Sequence, residues 1–406
     1  MTSLTNHVIV GNGPAGIRAA EIIRKHDSES RINVISDEKQ LYYYRRLLSR
    51  FIAGKCKSEN LRVYPPSFYE EKAVVQTLGK TVTKVLPKEK LILLDDNREI
   101  SYDKLLLAVG GKPLRPRWLG SNLKGIMTTR TLEDARTMVE FVARTKRAVV
   151  VGGGLLGLNL AQSLRERGLD VNLLVRGDRL WPAMLDQIAS DIIAKRLEQE
   201  GIEVDFNTEV ERFVGQSDAV SGVVTTSGTE ITCQLVGVSI GITPNVDFLK
   251  DSGIRIDKGI VVNDRMQTNI EEIYAAGDVA QAYDVVYKDY RLNTSWNNAV
   301  EQGTIAGSNI SGTQETFCGG VCSNSEKIYD FTLTSIGTTS PPSADYEVLS
   351  CDVNEKNAYR KFVLKGDKMV GALLLGYTRD ADRIEKLIRM EANVSDIREK
   401  LLSGLA

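Results

Sequence analysis

Two glycine-rich turns, each placed between an apolar strand and a helical stretch, constrain this 406-residue chain more than any other feature. The first turn is GNGPAG, residues 11–16, which follows the apolar HVIV; the second is GGGLLG, residues 152–157, which follows AVVV. In such a turn the first glycine permits a tight bend, the second lets the backbone approach a pyrophosphate, and the third lets helix and strand pack closely. Two such units predict an α/β chain with two Rossmann-like dinucleotide-binding domains, and they imply two dinucleotides or one dinucleotide and a relic.

The phosphates of a dinucleotide are predicted to lie at the start of the helix that follows each turn. Backbone N–H groups there have no helical partner, and the helix dipole favours a negative charge. The predicted cofactor-binding residues are therefore Gly11, Gly13, Pro14, Ala15 and Gly16 in the first turn, and Gly152, Gly154, Leu155, Leu156 and Gly157 in the second.

The two units differ at the end of the second strand, where an acid usually binds the ribose hydroxyls. In the first unit RINVIS is followed by Asp37 and Glu38, either of which can accept both hydroxyls. In the second unit VNLLV ends in Val175 and is followed by Arg176. Two explanations are open. Arg176, with Arg179, binds a 2′-phosphate and the cofactor is NADP(H), or the ribose is held elsewhere and the cofactor is NAD(H).

Composition excludes several other classes of protein. The net charge of −1 gives no indication of nucleic-acid binding, and no apolar run reaches membrane-spanning length. The N-terminal MTSLTNHVIV lacks a signal-peptide pattern, so we expect a cytoplasmic protein. Five cysteines, an odd count, favour reduced thiols over a disulfide framework. With only two histidines, and no further ligand near Cys318 and Cys322, we predict no metal site.

The order of further motifs makes a family resemblance specific. LLLAVGG (105–111) precedes the second glycine turn, GITPN (241–245) closes that unit, and EIYAAGDV (272–279) follows. This order resembles the pyridine nucleotide–disulphide oxidoreductase superfamily, in which an NAD(P) domain is inserted into a split FAD domain. The resemblance implies an FAD domain of residues 1–113 and 245–317, an NAD(P) domain of residues 114–244, and a small C-terminal α+β domain of residues 318–406.

The resemblance also assigns residues to the FAD. In the family, the acid matching Glu38 binds the adenosine ribose, and the aspartate matching Asp278 binds the ribityl chain. The LLLAVGG strand crosses near the FAD, and the helix predicted over residues 295–312 faces the flavin ring. The further cofactor-binding residues predicted in this way are Ala108, Gly110, Gly241, Gly277, Trp296 and Gln302.

The stretch QLYYYRRLLSRFIAGK (40–55) narrows the branch, because it contains no cysteine. Disulfide reductases of the superfamily carry a redox cysteine pair in this region, and peroxide- or coenzyme A-type members carry one cysteine. The stretch instead resembles the NADH:rubredoxin reductases and the flavin domain of NADH-dependent nitrite reductases, as does GALLLGYTRDADRIEKLI (371–388). Its arginines can neutralise a pyrophosphate. By resemblance, Arg45 touches that pyrophosphate, and Arg50 stands where ferredoxin reductases place a lysine that sits near flavin N5.

A second departure concerns the helix after the second turn, which reads GLNLA where relatives commonly have Gly-x-Glu-x-Ala. Asn159 thus replaces a glutamate near the nicotinamide; it can bond the carboxamide, and we count it with Arg50 as a catalytic residue. The relatives that lack the ribose acid resemble NADH users, which favours NAD(H). With Val175 in place of a ribose acid and Asn159 in place of a glutamate, a third alternative stays open. In that alternative the pocket binds nicotinamide weakly or not at all.

The resemblance implies an FAD-containing oxidoreductase that exchanges electrons between NAD(P)H and a partner. Hydride passes between nicotinamide C4 and flavin N5, and the flavin exchanges single electrons with a rubredoxin- or ferredoxin-like protein or an iron–sulfur subunit. The resemblance therefore implies an electron transferase, and it allows for a place within a hetero-oligomeric complex. The alternatives are an NAD(P)H oxidase, and a flavoprotein subunit of a larger redox complex whose nicotinamide site is weak.

Overall fold

The computed structural model describes residues 4–341, 343–353 and 358–403, and the chain divides into two compact units. The first unit comprises the described residues up to 43, then 62–112 and 243–323. The second comprises 44–61, 113–242 and the described residues from 324 onward. Each glycine turn lies in a different unit.

The first unit is built around a parallel five-stranded sheet whose strands are rich in Val, Ile and Leu and are buried on both faces. In spatial order its strands are Ile273–Ala275, Lys104–Leu107, Asn6–Val10, Arg31–Ser36 and Val74–Leu78. The helices of this unit are Pro14–His26, Pro66–Glu71 and Trp296–Ile310, with a 3₁₀ turn at Asp247–Leu249.

Two smaller sheets complete this unit. One has the strands Val82–Leu86, Leu91–Leu94 and Glu99–Ser101; the other has Ile260–Val261, Ala280–Asp284 and Asp289–Leu292. A two-stranded sheet is formed by Gly111–Pro113 and Ile242–Pro244, the stretches where the chain passes from one unit to the other.

Four strands of the second unit repeat the connectivity of the first, whereas the fifth, Ile126–Met127, precedes them in the chain instead of following them. The parallel sheet of this unit has the strands Ile202–Asp205, Asp170–Leu174, Arg147–Val151, Leu235–Val238 and Ile126–Met127 in spatial order. Three helices, Leu132–Val142, Leu155–Glu166 and Gln187–Gln199, accompany it. An antiparallel sheet of Val210–Gln216, Ala219–Thr225 and Glu230–Thr232 shares an apolar core with the parallel sheet. Residues 44–61 add a short helix, Leu48–Ile52, between 3₁₀ turns at Arg45–Leu47 and Ser58–Leu61.

The C-terminal part of the second unit is an antiparallel five-stranded sheet followed by helices. Its spatial order is Ser323–Ile328, Phe331–Gly337, Lys368–Leu375, Ala358–Lys365 and Tyr346–Val353. The helices are Ala381–Arg389 and Arg398–Ser403, with a 3₁₀ turn at Ser395–Ile397. Asp380 occupies the N-cap of the first helix and pairs with the buried Arg360, Nη2 to Oδ2, at 2.6 Å.

The predicted α/β fold with two Rossmann-like units and a small C-terminal α+β part is confirmed. Segment limits differ slightly: the helix predicted over 295–312 spans Trp296–Ile310, and Val175 follows the strand Asp170–Leu174 instead of ending it. The exact division into three domains stays a prediction. Within residues 4–341, 343–353 and 358–403, every helix is too short or too polar to cross a membrane.

Candidate cofactor-binding sites

The first glycine turn leaves no room for side chains at two of its glycines. Gly11 has a φ of +120°, which favours glycine, and a Cβ there would overlap the carbonyl oxygen of Ala108. Its N–H donates to Ile35 O at 2.8 Å, which ties the turn to the neighbouring strand. A Cβ on Gly16 would overlap the carbonyl oxygen of Gly11. These contacts give the glycines the packing roles that the pattern predicts.

Gly13 differs, because an added Cβ there would meet no protein atom within 4 Å. It is the N-cap of the helix Pro14–His26 and provides no side-chain hydrogen bond. The N–H groups of Ala15 and Gly16 precede the first helical hydrogen bond, which Ile17 donates to Gly13 O at 3.0 Å. Open space in front of these N–H groups is what a pyrophosphate requires.

A buried polar atom in the same turn also fits a ligand. Asn12 is 9% exposed, and its Nδ2 donates to Gln40 O at 3.0 Å. Its Oδ1 is buried without a hydrogen-bond partner within the described protein. An acceptor left in this state costs stability unless a ligand or water donates to it.

Of the two candidate ribose acids, the structure orients Glu38. Its Oε2 accepts from the hydroxyl of Tyr43 at 2.6 Å, and its carbonyl oxygen accepts from Gly79 N at 3.1 Å. Asp37, in contrast, is exposed. The half-buried Glu38 carboxylate therefore stands at the carboxyl edge of the parallel sheet, where ligands of such folds bind.

The predicted ribityl site lies next to the first glycine turn. Gly277 N donates to Oε1 of the buried Gln302 at 2.8 Å, which fixes the loop that carries the half-buried Asp278. A Cβ built on Gly277 would contact the Ala15 side chain at 3.2 Å. A Cβ on Gly303 would overlap the Ala15 carbonyl oxygen, so the helix Trp296–Ile310 crosses the first helix closely.

Two further predicted residues lie in the first unit. Trp296 is the first residue of its helix, is 46% exposed, and its Nε1 donates to the Tyr42 hydroxyl at 3.3 Å. Gly110 has a φ of +61°, and its carbonyl oxygen accepts from Asn245 N at 2.9 Å. The first unit thus brings its fingerprint glycines, Ala108 and the Gly277 loop together.

The second glycine turn has the same construction. A Cβ on Gly152 (φ +115°) would overlap the Ser239 carbonyl oxygen, and one on Gly157 would overlap that of Gly152. Gly154 is the N-cap of the helix Leu155–Glu166, and a Cβ there would meet no protein atom within 4 Å. The helix then begins with the half-buried Leu155 and with Leu156, which is 55% exposed. Gly241 (φ +122°) lies beyond Ser239, and its carbonyl oxygen accepts from Leu114 N at 3.0 Å.

Val175 packs against the second turn instead of facing a ribose. It is 3% exposed, and its methyl groups lie 2.9–3.0 Å from a Cβ built on Gly153. The Arg176 side chain is 84% exposed, and its Nε lies 3.9 Å from Oε1 of Glu209. Glu209 follows the neighbouring strand Ile202–Asp205, so a carboxylate does reach this edge of the sheet from another strand.

Asn159 lies half-buried on the second turn of its helix. The Glu326 carboxyl, on the strand Ser323–Ile328, lies near the Asn159 side chain and near Arg46. Burial raises the pKa of the Glu326 carboxyl, whereas Arg46 and Asn159 favour its charged form.

The arginines of residues 44–61 belong to the second unit. Nη1 of Arg45 donates to Arg130 O at 2.9 Å, and Arg50 is exposed near the end of the helix Leu48–Ile52. The roles predicted for Arg45 and Arg50 beside FAD stay predictions. Burial raises the pKa of the Cys56 thiol, against the opposing effect of Arg50, so this thiol is not activated as a nucleophile.

Comparison with known proteins decides the family. The model of the family described as pyridine nucleotide-disulphide oxidoreductase matches residues 5–303. The chain belongs to this family. A second model, the C-terminal domain of rubredoxin NAD+ reductase, matches residues 323–392. The family match confirms the predicted resemblance, and with it an oxidoreductase that uses FAD and a nicotinamide nucleotide.

Individual relatives in the family match nearly the whole chain. Nitrite reductase [NAD(P)H] of Bacillus subtilis (strain 168) is 32% identical over 96% of this chain, and the chain spans 48% of that protein. NADH oxidase of Methanocaldococcus jannaschii is 31% identical over 94% of this chain and 89% of its own length. The structure of a covalent putidaredoxin reductase–putidaredoxin complex matches with a TM-score of 0.88 and 26% identity, over 96% of this chain and 94% of that chain.

Three site residues had escaped sequence reasoning. Tyr43 and Glu326 give no local signal, because Tyr43 meets Glu38, and Glu326 comes near Asn159 and Arg46, only after folding. Glu209 does have a signal: it follows a strand that neighbours Val175, and the carboxyl ends of parallel strands share one edge. Among the described residues, no group of three or more His, Cys, Asp or Glu side chains is placed to hold a metal ion.

Proposed function

We propose that this protein is an FAD-containing reductase that takes electrons from NADH and passes them to a small redox protein or an iron–sulfur subunit. The observation that carries the proposal is the combination of two complete glycine turns with a stretch after Glu38, residues 40–55, that contains no cysteine. Burial raises the pKa of the thiol of Cys56, the first cysteine after Glu38. A disulfide-reductase mechanism would need a reactive thiol or a thiol pair.

In this proposal, residues of the first unit bind FAD. The N–H groups of Ala15 and Gly16 bind the pyrophosphate, the Glu38 carboxylate accepts from the ribose hydroxyls, and Asp278 accepts from the ribityl chain. When bound, the flavin supplies the step from two-electron to one-electron chemistry. Tyr43 and Gln302 act as positioning residues, since they hold Glu38 and the Gly277 loop.

Residues of the second unit bind the nicotinamide nucleotide. Helix N–H groups after Gly154 bind its pyrophosphate, and Asn159 bonds the carboxamide. We propose NADH as the preferred form, because the Glu209 carboxylate beside Arg176 accepts from a ribose hydroxyl but repels a 2′-phosphate. In the competing assignment Arg176 binds that phosphate, and the variant Glu209→Gln distinguishes the two assignments.

The names of relatives support the choice of electron acceptor. One matching structure is a covalent complex of putidaredoxin reductase with putidaredoxin, and the C-terminal model is named for rubredoxin NAD+ reductase. The chain spans about half of the length of the nitrite reductase that it matches. A place within a hetero-oligomeric complex is part of the proposal. The three predicted domains and a cytoplasmic location are part of the same proposal.

A second candidate is an NADH oxidase, because the Methanocaldococcus jannaschii relative that covers most of the chain carries that name. In that case the flavin would pass electrons to oxygen instead of a protein. A third outcome, a flavoprotein subunit with a weak nicotinamide site, follows if neither nucleotide reduces the flavin.

Stopped-flow absorbance of the FAD-loaded protein distinguishes these functions. We expect anaerobic bleaching of the flavin by NADH to be faster than by NADPH, and reoxidation by rubredoxin or a [2Fe–2S] ferredoxin to be faster than by oxygen. Fast oxygen uptake with no stimulation by either protein would support the oxidase instead. No bleaching by either nucleotide would refute the reductase and favour the subunit.

A further inference from the structure

The peptide group between Gly153 and Gly154, in the second glycine turn, is held by a segment that follows the neighbouring strand Asp170–Leu174. Gly153 O accepts from Trp181 N at 2.8 Å. A peptide group between two glycines rotates more freely than one flanked by side chains, because no Cβ restricts it. The hydrogen bond from Trp181 therefore fixes a carbonyl direction that the turn by itself leaves variable.

The direction of that carbonyl decides where the N–H of Gly154 points. A trans peptide group is planar, and its C=O and N–H point in opposite directions. With its carbonyl directed at Trp181, the peptide directs the Gly154 N–H away from Trp181. Gly154 is the N-cap of the helix Leu155–Glu166, and an added Cβ there would meet no protein atom within 4 Å. An N–H group at such an open helix start is a donor for a phosphate.

Trp181 makes this hydrogen bond in an unfavourable backbone conformation. Its φ is +37°, a left-handed value that is rare for a residue with a bulky side chain. Its carbonyl oxygen accepts from Met184 N at 2.8 Å and from Leu185 N at 2.9 Å, so the segment closes into a tight turn. Residues in strained conformations cluster at functional sites, and they persist only where their surroundings impose the conformation.

The strained turn is anchored to the C-terminal sheet, which belongs to the same unit. Oγ1 of the buried Thr339 donates to Met184 O at 2.6 Å. The buried Tyr359 hydroxyl donates to Oδ2 of Asp186 at 2.6 Å, and Lys361 Nζ lies 3.0 Å from the same carboxylate. These bonds hold the end of the turn and so supply the surroundings that its conformation requires.

We propose that Trp181 is a positioning residue for the nicotinamide nucleotide: its N–H locks the Gly153–Gly154 peptide so that the Gly154 N–H donates to the pyrophosphate. The C-terminal sheet, through Thr339, keeps Trp181 in the conformation that this hydrogen bond needs. The inference rests on the proposed function, which places the nucleotide at the second glycine turn. It gives the C-terminal sheet a share in nucleotide binding.

Replacing the Trp181 N–H by an oxygen atom tests the hydrogen bond directly. Nonsense suppression with indole-3-lactic acid forms an ester at this position, which keeps the indole side chain and removes the donor. In calorimetric titrations of the FAD-loaded protein, we expect the ester variant to bind ADP-ribose about tenfold more weakly, because the Gly154 N–H is no longer held towards the phosphate. Adenosine lacks phosphate groups, so its Kd, measured in competition with ADP-ribose, should change less than about twofold. A merely structural role would weaken both ligands.

The anchor to the C-terminal sheet is tested by Thr339→Val, which removes the hydroxyl that donates to Met184 O and keeps a branched side chain. Thr334→Val is the matched control. Thr334 is also buried, but its hydroxyl lies on the strand Phe331–Gly337 and bonds Ser325 Oγ at 2.9 Å instead of the strained turn. We expect Thr339→Val to weaken ADP-ribose about two- to fivefold and Thr334→Val to leave its Kd unchanged.

Three results would overturn the proposal. Wild-type ADP-ribose binding by the ester variant would show that the Trp181 N–H does not lock the peptide, and equal weakening of ADP-ribose and adenosine would make Trp181 a structural residue. Equal effects of Thr339→Val and Thr334→Val would refute the anchor, and this comparison decides if the ester variant does not fold. In each case NADH still bleaches the flavin of the wild type, so the reductase function stands. If the wild type binds neither NADH nor ADP-ribose, the proposed function fails together with the inference.

Discussion

Replacing Gly13 by alanine should separate folding from FAD binding. The backbone at Gly13 has φ −102° and ψ −171°, an extended conformation that alanine adopts freely, and the added Cβ would meet no protein atom within 4 Å. Alanine is a poorer N-cap than glycine by about 1 kcal/mol. Its smaller unfolded-state entropy offsets about 0.4–1 kcal/mol. We therefore expect the free energy of unfolding of the apoprotein to stay within about 1 kcal/mol of the wild type.

The effect on FAD should be much larger. The space in front of Gly13 is where a pyrophosphate approaches the backbone, and a methyl group there keeps the phosphate away from the N–H groups of Ala15 and Gly16. Loss of one hydrogen bond to a charged group costs about 1.5–3 kcal/mol. The Kd for FAD should therefore rise about ten- to hundredfold.

Fluorescence titration of the apoprotein with FAD measures this change, and urea unfolding measures stability. Gly154→Ala is the matched control, because Gly154 has the same position in the second turn and the same open space. It should retain FAD with the wild-type Kd and weaken NADH about ten- to hundredfold. An unchanged FAD Kd in Gly13→Ala, or an unfolded apoprotein, would refute this reasoning.

The remaining predictions concern a buried ion pair, cofactor preference and pH. Asp380→Asn should lower the free energy of unfolding by about 3–5 kcal/mol in urea, because Arg360, with its side chain 3% exposed, would keep a buried unpaired charge. A loss under about 1 kcal/mol would show that the pair is dispensable. Glu209→Gln should raise kcat/KM for NADPH about two- to fivefold and spare NADH, since Arg176 is then free to meet a 2′-phosphate; a loss of NADPH activity would contradict this. For Asp186, burial acts to raise the pKa, but its hydrogen bonds lower it below the ordinary 3.8 overall. Its stabilisation is therefore complete above that value and lost as the pH falls through the lower folded pKa. Asp186→Asn should be less stable at pH 7 and lose stability less steeply below pH ~4, and equal slopes in acid unfolding would exclude the effect.

The sequence alone determined the two dinucleotide-binding units and most of their glycines. A tight bend, an open helix start and a close helix–strand contact depend on residues only a few positions apart. The glycine spacing that produces them can therefore be recognised in the sequence. Gly11, Gly16, Gly152 and Gly157 are each found where a Cβ would overlap a carbonyl oxygen. The sequence left two neighbouring candidates for the ribose acid, Asp37 and Glu38. Only the hydrogen bond from the Tyr43 hydroxyl shows that Glu38 is the oriented one.

Contacts between distant segments were decided by the tertiary structure. Nothing near Gln162 in the chain indicates that Tyr329 will meet it, and nothing near Arg196 indicates Asp330, because both contacts depend on how the C-terminal sheet packs in the second unit. Nor does the Arg176 neighbourhood contain the carboxylate of Glu209, which arrives from the next strand. Local patterns set backbone geometry within one element, whereas the polar groups that surround a bound nucleotide come from several elements and are assembled only when those elements pack.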